Sequence, residues 1–152
     1  MFRGNSSLNL DSKGRLAIPS RYRARLAEMS DGNLVQTINP LDLCIWIYPL
    51  NEWEIIEPKL HKLSDFVKDS RRTKQMMLGY ADECSLDSHG RIRVTTRLKE
   101  FAGLEKQAVI LGQGNKFELW DESAWNTQHD EWLKSLEDDS GLPSEALQQL
   151  SL

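Results

Sequence analysis

Leu10-Asp11-Ser12-Lys13-Gly14-Arg15-Leu16-Ala17-Ile18-Pro19-Ser20-Arg21 returns 76 residues later as Leu86-Asp87-Ser88-His89-Gly90-Arg91-Ile92-Arg93-Val94-Thr95-Thr96-Arg97. The Leu, Asp, Ser, Gly and both Arg positions recur, and two further positions exchange one aliphatic residue for another. A second echo follows in the same order. Ile45-Trp46-Ile47-Tyr48 with Trp53 corresponds to Phe117-Glu118-Leu119-Trp120 with Trp125, at an offset of 72. The shorter offset implies four fewer residues in the intervening loop of the second copy. A period near 75 residues is too long for an ordinary solenoid unit, so the chain reads as a duplicated small domain whose halves pack on each other.

Each copy begins as β structure. Asp-Ser-x-Gly supplies turn residues, with the glycine suited to a positive φ, between two short alternating runs, residues 7–10 and 15–18 in the first copy; that pattern predicts a hairpin. Pro19 ends the second run and opens a helix over residues 21–29, with Tyr22 and Leu26 one turn apart. Asp31-Gly32-Asn33 ends the helix. Two more strands are expected at residues 34–38 and 43–48 around Asn39-Pro40, and at 107–111 and 116–120 around Gly112-Gln113-Gly114.

A helical stretch follows each β unit. Asn51 is expected to cap a helix bearing Trp53, Ile56 and Leu60, and a second helix is expected over residues 66–78. Its counterpart in the second copy starts near Asp121 and carries Trp125, Trp132 and Leu136. The segment Glu137-Asp138-Asp139-Ser140-Gly141-Leu142-Pro143 should break it, leaving residues 144–152 as a short helix or frayed tail. The expected organisation is a first β unit at residues 1–53, a helical connector at 54–80, a second β unit at 81–125, and a C-terminal helix with an acidic tail at 126–152. Each copy is too small to bury a core alone, which favours pairing of the two about a pseudo-twofold axis.

With 152 residues, 39% hydrophobic and 28% charged, the chain has the makeup of a soluble globular protein. No apolar run suits a membrane span, and the first residues do not read as a secretory signal, so a cytoplasmic location is expected. Cys44 and Cys84 stand far apart in sequence, as do His61, His89 and His129, and no metal-ligand spacing occurs. Neither a metal nor another cofactor is expected. Gly112-Gln113-Gly114-Asn115 lacks the third glycine of a dinucleotide loop. The carboxylates that could argue for an enzyme, Asp82-Glu83 or Asp11 with Asp87, come with no nucleophile or base at a sensible spacing, so no enzymatic role is expected.

The net charge of −4 hides a segregation. Residues 1–27 carry six basic residues against Asp11 alone, whereas residues 121–152 carry eight acidic residues against Lys134. One end of the chain could face phosphates, or simply be a solvated charged face.

The order Leu-Asp-x-x-Gly-Arg, a hydrophobic residue, then x-Ile-Pro-x-x-x-Arg resembles the signature of the AbrB-type swapped-hairpin DNA-binding domain. Two such units joined by helices, opening with Met1-Phe2-Arg3-Gly4 and carrying Tyr48-Pro49-Leu50-x-x-Trp53-Glu54, resemble the MraZ family of bacterial transcriptional regulators. The resemblance covers residues 1 to about 125. It implies an α+β fold in which two tandem AbrB-like swapped-hairpin units form a pseudo-twofold, β-barrel-like core, each followed by helices. It further implies a nucleoid-associated repressor of its own gene and of the downstream division and cell-wall cluster, binding repeated promoter sites on double-stranded DNA as a ring-shaped homo-oligomer.

Arginines after the turn glycine and on the following helix contact DNA in the related domains. That role passes to Arg15 and Arg23, and in the second copy to Arg91 and Lys99. Arg3, Lys13 and Arg21 complete the expected DNA-binding set, with Arg21, Arg23 and Arg25 able to extend one face along the helix. Asp11, Gly14, Asp87 and Gly90 are the expected turn residues. Two alternatives stay open: Arg15 and Arg91 could serve as turn-stiffening partners of Asp11 and Asp87, and Arg3 could be an arm or a frayed terminus. The second copy departs from the pattern at His89 and Thr95, which makes the first copy the expected main reader. The rival reading of the whole is an assembly ring without specific DNA readout, built on the five tryptophans and the apolar helices.

Overall fold

Runs rich in β-branched and aromatic residues form the strands and the Gly-poor runs the helices, in a computed structural model that describes residues 1–138, 141 and 143–152. The elements are β1 (Asn5–Asn9), β2 (Arg15–Ala17), α1 (Ser20–Ser30), β3 (Asn33–Ile38), β4 (Ile45–Pro49), α2 (Leu50–His61), α3 (Lys68–Tyr80), β5 (Asp82–Ser85), β6 (Arg91–Arg93), α4 (Thr96–Ala102), β7 (Gln107–Gly112), β8 (Phe117–Asp121), α5 (Glu122–Asp138) and α6 (Glu145–Gln148). They fall into two compact units, Met1–Glu122 and Ser123–Leu152.

The first unit holds a six-stranded antiparallel sheet in the order β1-β7-β8-β4-β3-β5 and a separate two-stranded ribbon of β2 and β6. The hairpins expected at the two Asp-Ser-x-Gly turns do not form as ladders, whereas β7 and β8 do pair around Gly112-Gln113-Gly114-Asn115. β1 pairs with β7 of the other copy, β5 with β3, and β2 with β6, so every strand flanking a turn takes its partner from the other half. Alternation specifies which face of a strand is apolar but not which strand it joins.

The barrel-like core is also corrected. β1 and β5 are the two edges of an open sheet, and among the described residues no ladder joins them, while β2 and β6 pair with each other in a separate ribbon. Closure needs an unbroken ladder all the way round.

β3, β4, β7 and β8 are buried along nearly their whole length, and Leu34, Ile38, Ile45, Ile47, Ile110, Phe117 and Leu119 form the centre of the core. Phe2, Tyr22 and Phe117 stack on one another, with ring centroids 4.3 to 5.7 Å apart, and so join the N-terminus, α1 and β8. The second copy's helix α4 packs Leu98 and Ala102 inward, as α1 does Tyr22 and Leu26.

Helix boundaries differ in detail from expectation. α1 ends, as expected, at Asp31, a C-cap in the left-handed conformation (φ 55°). α2 begins at Leu50 with Pro49 at its N-cap and no side-chain capping bond, so Asn51 is inside the helix and not its cap. α3 starts two residues later than expected and runs to Tyr80.

In the second unit α5 has no buried residue, and Trp132, Leu133 and Leu136 stand exposed. The expected break after α5 falls partly on Asp139, Ser140 and Leu142, which lie outside the described residues. Among the described residues no helix is long and apolar enough to cross a membrane.

Candidate nucleic-acid interface

Both Asp-Ser-x-Gly segments fold into the same turn. Asp11 Oδ1 accepts from the Lys13 and Arg15 amides at 2.9 Å each, and its Oδ2 accepts from Arg15 Nε at 2.8 Å. Asp87 repeats this with the His89 and Arg91 amides at 2.8 and 2.9 Å and with Arg91 Nε at 3.0 Å. Hydrogen bonds to the ionised carboxylate favour the charged form. The Arg15 amide is the largest cause of holding Asp11 down at about 2, against an ordinary 3.8, and the Arg91 amide lowers Asp87 in the same way.

The turns are closed by a positive φ that L side chains avoid, 75° at Gly14 and 72° at Gly90. Each also receives a bond from the other copy: the Ile18 amide donates to the Gly90 carbonyl and the Val94 amide to the Gly14 carbonyl, both at 2.9 Å. The two turns are therefore clipped at either end of one ribbon.

In that ribbon Arg15 lies opposite Arg93, Leu16 opposite Ile92, and Ala17 opposite Arg91. Side chains alternate along a strand, so residues 15, 17, 91 and 93 share one face and Leu16 and Ile92 the other. Leu16 and Ile92 are buried in the core, Arg93 is exposed, and Arg15 and Arg91 are about a third exposed. Three arginines thus stand on the outer face of a two-stranded ribbon. Arg15 directly opposite Arg93 is a like-charge cross-strand pair, which is unfavourable without an anion between or beside the two. Asp11 and Asp87 compensate Arg15 and Arg91, while among the described residues no carboxylate forms an ion pair with Arg93.

The other expected residues do not all gather here. Lys13 sits exposed on the first turn. Arg23 donates through Nε to the Ile18 carbonyl at 2.7 Å and lies over Gly90, beside the second turn. Arg21 instead donates to Ser6 Oγ at 2.8 Å and lies over the Tyr22 ring, and Arg25 donates to the Met1 carbonyl at 3.1 Å. Residues 21 and 25 are one helical turn apart, whereas residue 23 falls on the far side, so the three cannot form one continuous face.

Arg3 is exposed, but its backbone is no frayed arm. Its carbonyl accepts from the Tyr22 hydroxyl, and the neighbouring Phe2 exchanges amide–carbonyl bonds of 2.8 Å with Gly114. In the second copy Lys99 takes the place of Arg23, with Nζ against Gly14, and Arg97 takes that of Arg21, lying over Tyr80.

Arg93 was outside the expected set although the ribbon gives it the most open position of the three. The available signal was its spacing of two from Arg91, which places both on one face of any strand. The cysteines offer no chemistry here: burial pushes both thiols up to about 12, so neither is a ready thiolate. No cluster of three or more potential metal ligands exists among the described residues.

Comparison with known proteins agrees with the duplication. The family model described as "MraZ protein, putative antitoxin-like" matches twice, at residues 1–76 and 77–141. The chain is 49% identical over 152 residues to the transcriptional regulator MraZ of Thioalkalivibrio sulfidiphilus, and 50% identical over 153 residues to that of Halorhodospira halophila. It is 47% identical over 152 residues to that of an Enterobacter species. In all three cases the match covers the whole of both chains.

Proposed function

Because the chain belongs to the MraZ family, we propose that it is a transcriptional regulator that reads double-stranded DNA through the β2–β6 ribbon. The relatives are named as regulators of transcription and not as enzymes, and the same class of work is assigned to this chain. The observation that carries the reading is the ribbon's outer face, with Arg15, Arg91 and Arg93 displayed over a buried Leu16–Ile92 pair. A two-stranded antiparallel ribbon fits the major groove, where arginine forks match guanine edges.

Within this reading Arg93 and Arg15 are the base readers, with Arg91 alongside. Lys13 on the turn, Arg23 beside the second turn, and Arg3 and Arg21 near the N-terminus serve as phosphate contacts. The exchanged strand pairing supports treating the two copies as AbrB-like swapped-hairpin units. The finer expectations belong to the same proposal: the target is the region upstream of its own gene and of the division and cell-wall cluster, the effect is repression, and repeated sites are bound by a ring of identical chains. Rigid arrays of individually weak readers gain avidity on repeated sites, which offsets the net negative charge of the chain. The exposed Trp132, Leu133 and Leu136 of α5 suit contacts within such an assembly.

The test is fluorescence anisotropy with a labelled duplex of the protein's own upstream region and a scrambled duplex, across a salt series, using wild type and Arg93→Ala. Expected is tight, salt-dependent binding with preference for the native duplex, and a loss of roughly 5- to 150-fold for Arg93→Ala on that duplex, the worth of one bidentate base contact. A wild type that binds both duplexes equally would overturn the reading in favour of an assembly ring without specific readout.

A further inference from the structure

Gln36 is completely buried in β3, a strand that otherwise packs mostly hydrocarbon. Its Nε2 donates both hydrogens, one to Asp82 Oδ2 on β5 and one to the backbone carbonyl of Arg93 on β6, each at 2.9 Å. Its Oε1 is buried with no hydrogen-bond partner among the described residues. An orphaned buried acceptor costs stability, so packing alone does not account for an amide at this position.

The second copy supplies the comparison. Gln36 pairs with Ile47 in the first copy's β3–β4 ladder, and Ile110 pairs with Leu119 in the second copy's β7–β8 ladder, where Ile47 and Leu119 are equivalent in the repeat. The equivalent of Gln36 is therefore Ile110, fully buried and without a donor. The strand position equivalent to Arg93 is Ala17. The buried amide thus bonds the ribbon strand that carries an outward arginine, and its equivalent in the repeat, where the matching outward residue is alanine, is a plain hydrocarbon.

We infer that Gln36 is a positioning residue for the ribbon: by holding the Arg93 carbonyl, it fixes the position and twist at which Arg93 and Arg15 meet a nucleic acid. The inference rests on the DNA reading above. Ladder pairing in the ribbon spans three residues per strand, and so short a ribbon has little stiffness of its own. Base-edge contacts carry the sequence information, whereas phosphate contacts add affinity without it. Loss of the tether therefore acts on discrimination before it acts on affinity for DNA at large.

The experiment compares wild type, Gln36→Met and Gln36→Ile on native and scrambled duplexes across salt, with Thr37→Val as control. Thr37 is the next residue of β3, buried, and donates to the Met77 carbonyl of α3 at 2.6 Å, away from the ribbon. Thermal melts establish that each variant is folded at the assay temperature. Hydrogen exchange at the Arg93 and Val94 amides reads the ribbon directly.

Expected is a fall of about ten-fold in the native-to-scrambled affinity ratio for both Gln36 variants, the scale of losing one well-formed base contact. The salt slope should be unchanged and amide exchange in β6 faster, while Thr37→Val keeps the wild-type ratio. Gln36 variants that keep the ratio while wild type shows a clear preference overturn this inference and leave the DNA reading standing. So does an equal loss of ratio in Thr37→Val, which would make the effect one of general destabilisation. A wild type with no preference overturns the DNA reading and this inference together.

Discussion

Arg23 lies across Gly90 so closely that a Cβ built on the glycine would come within 2.3 Å of the arginine's Nε. The reciprocal contact, Lys99 over Gly14, is looser, with Nζ 3.0 Å from the same hypothetical atom. Arg23 is also anchored, by its bond to the Ile18 carbonyl, whereas lysine's terminal ammonium can swing aside. Both alanine substitutions pay for a left-handed backbone, about 1–2 kcal/mol. Gly90→Ala must displace Arg23 as well and should be the more destabilising of the two, as measured by urea denaturation.

Acid should loosen the turns in a defined window. Asp11 titrates at about 2 in the folded chain against an ordinary 3.8, so the unfolded chain takes up a proton first as pH falls. The stabilisation from this carboxylate is complete above about pH 4 and is lost as pH falls toward 2. The stability difference between wild type and Asp11→Asn should shrink across that interval in denaturation curves taken at stepped pH.

Lys13 has an exposed side chain on a turn, and the proposed DNA reading makes it a point-charge contact to phosphate. Lys13→Ala should weaken binding to native and scrambled duplexes alike and reduce the salt slope by about 1, since one fewer phosphate is neutralised. A selective loss on the native duplex would instead make Lys13 a base reader.

Phe117 is fully buried where Phe2 and Tyr22 converge. Phe117→Ala should cost about 3–5 kcal/mol, the scale for emptying a core aromatic site. Since Phe2 loses the nearer of its two ring partners, protection of the Phe2 and Gly114 amides should fall first in hydrogen exchange.

The repeat, the two turns and most of the helices were legible in the sequence because each has a local cause: Asp and Gly at fixed places in a turn, apolar residues at helical spacing. Strand partnership has no such cause. Residues 7–10 and 15–18 alternate equally well whether they join each other or join residues 107–111 and 91–93, and only the packing of the two copies decides between these outcomes. The misassigned hairpin and the expected barrel share that origin. Arg15 and Arg91 could be found from the motif; the spacing of Arg93 from Arg91 puts it on their face, but its place opposite Arg15 follows only from the strand pairing. Gln36 sits 57 residues from Arg93 in sequence and carries no local signal at all.

Two identical strands paired antiparallel would look the same from either end and would suit an inverted repeat in DNA. Here the strands differ, with Ala17 on one matched by Arg93 on the other, and with Gln36 tethering the Arg93 carbonyl where its equivalent in the repeat is Ile110. Because both strands belong to a single chain, each is free to vary without altering its mate. The ribbon therefore has a direction, and under the proposed DNA reading its site need not be palindromic.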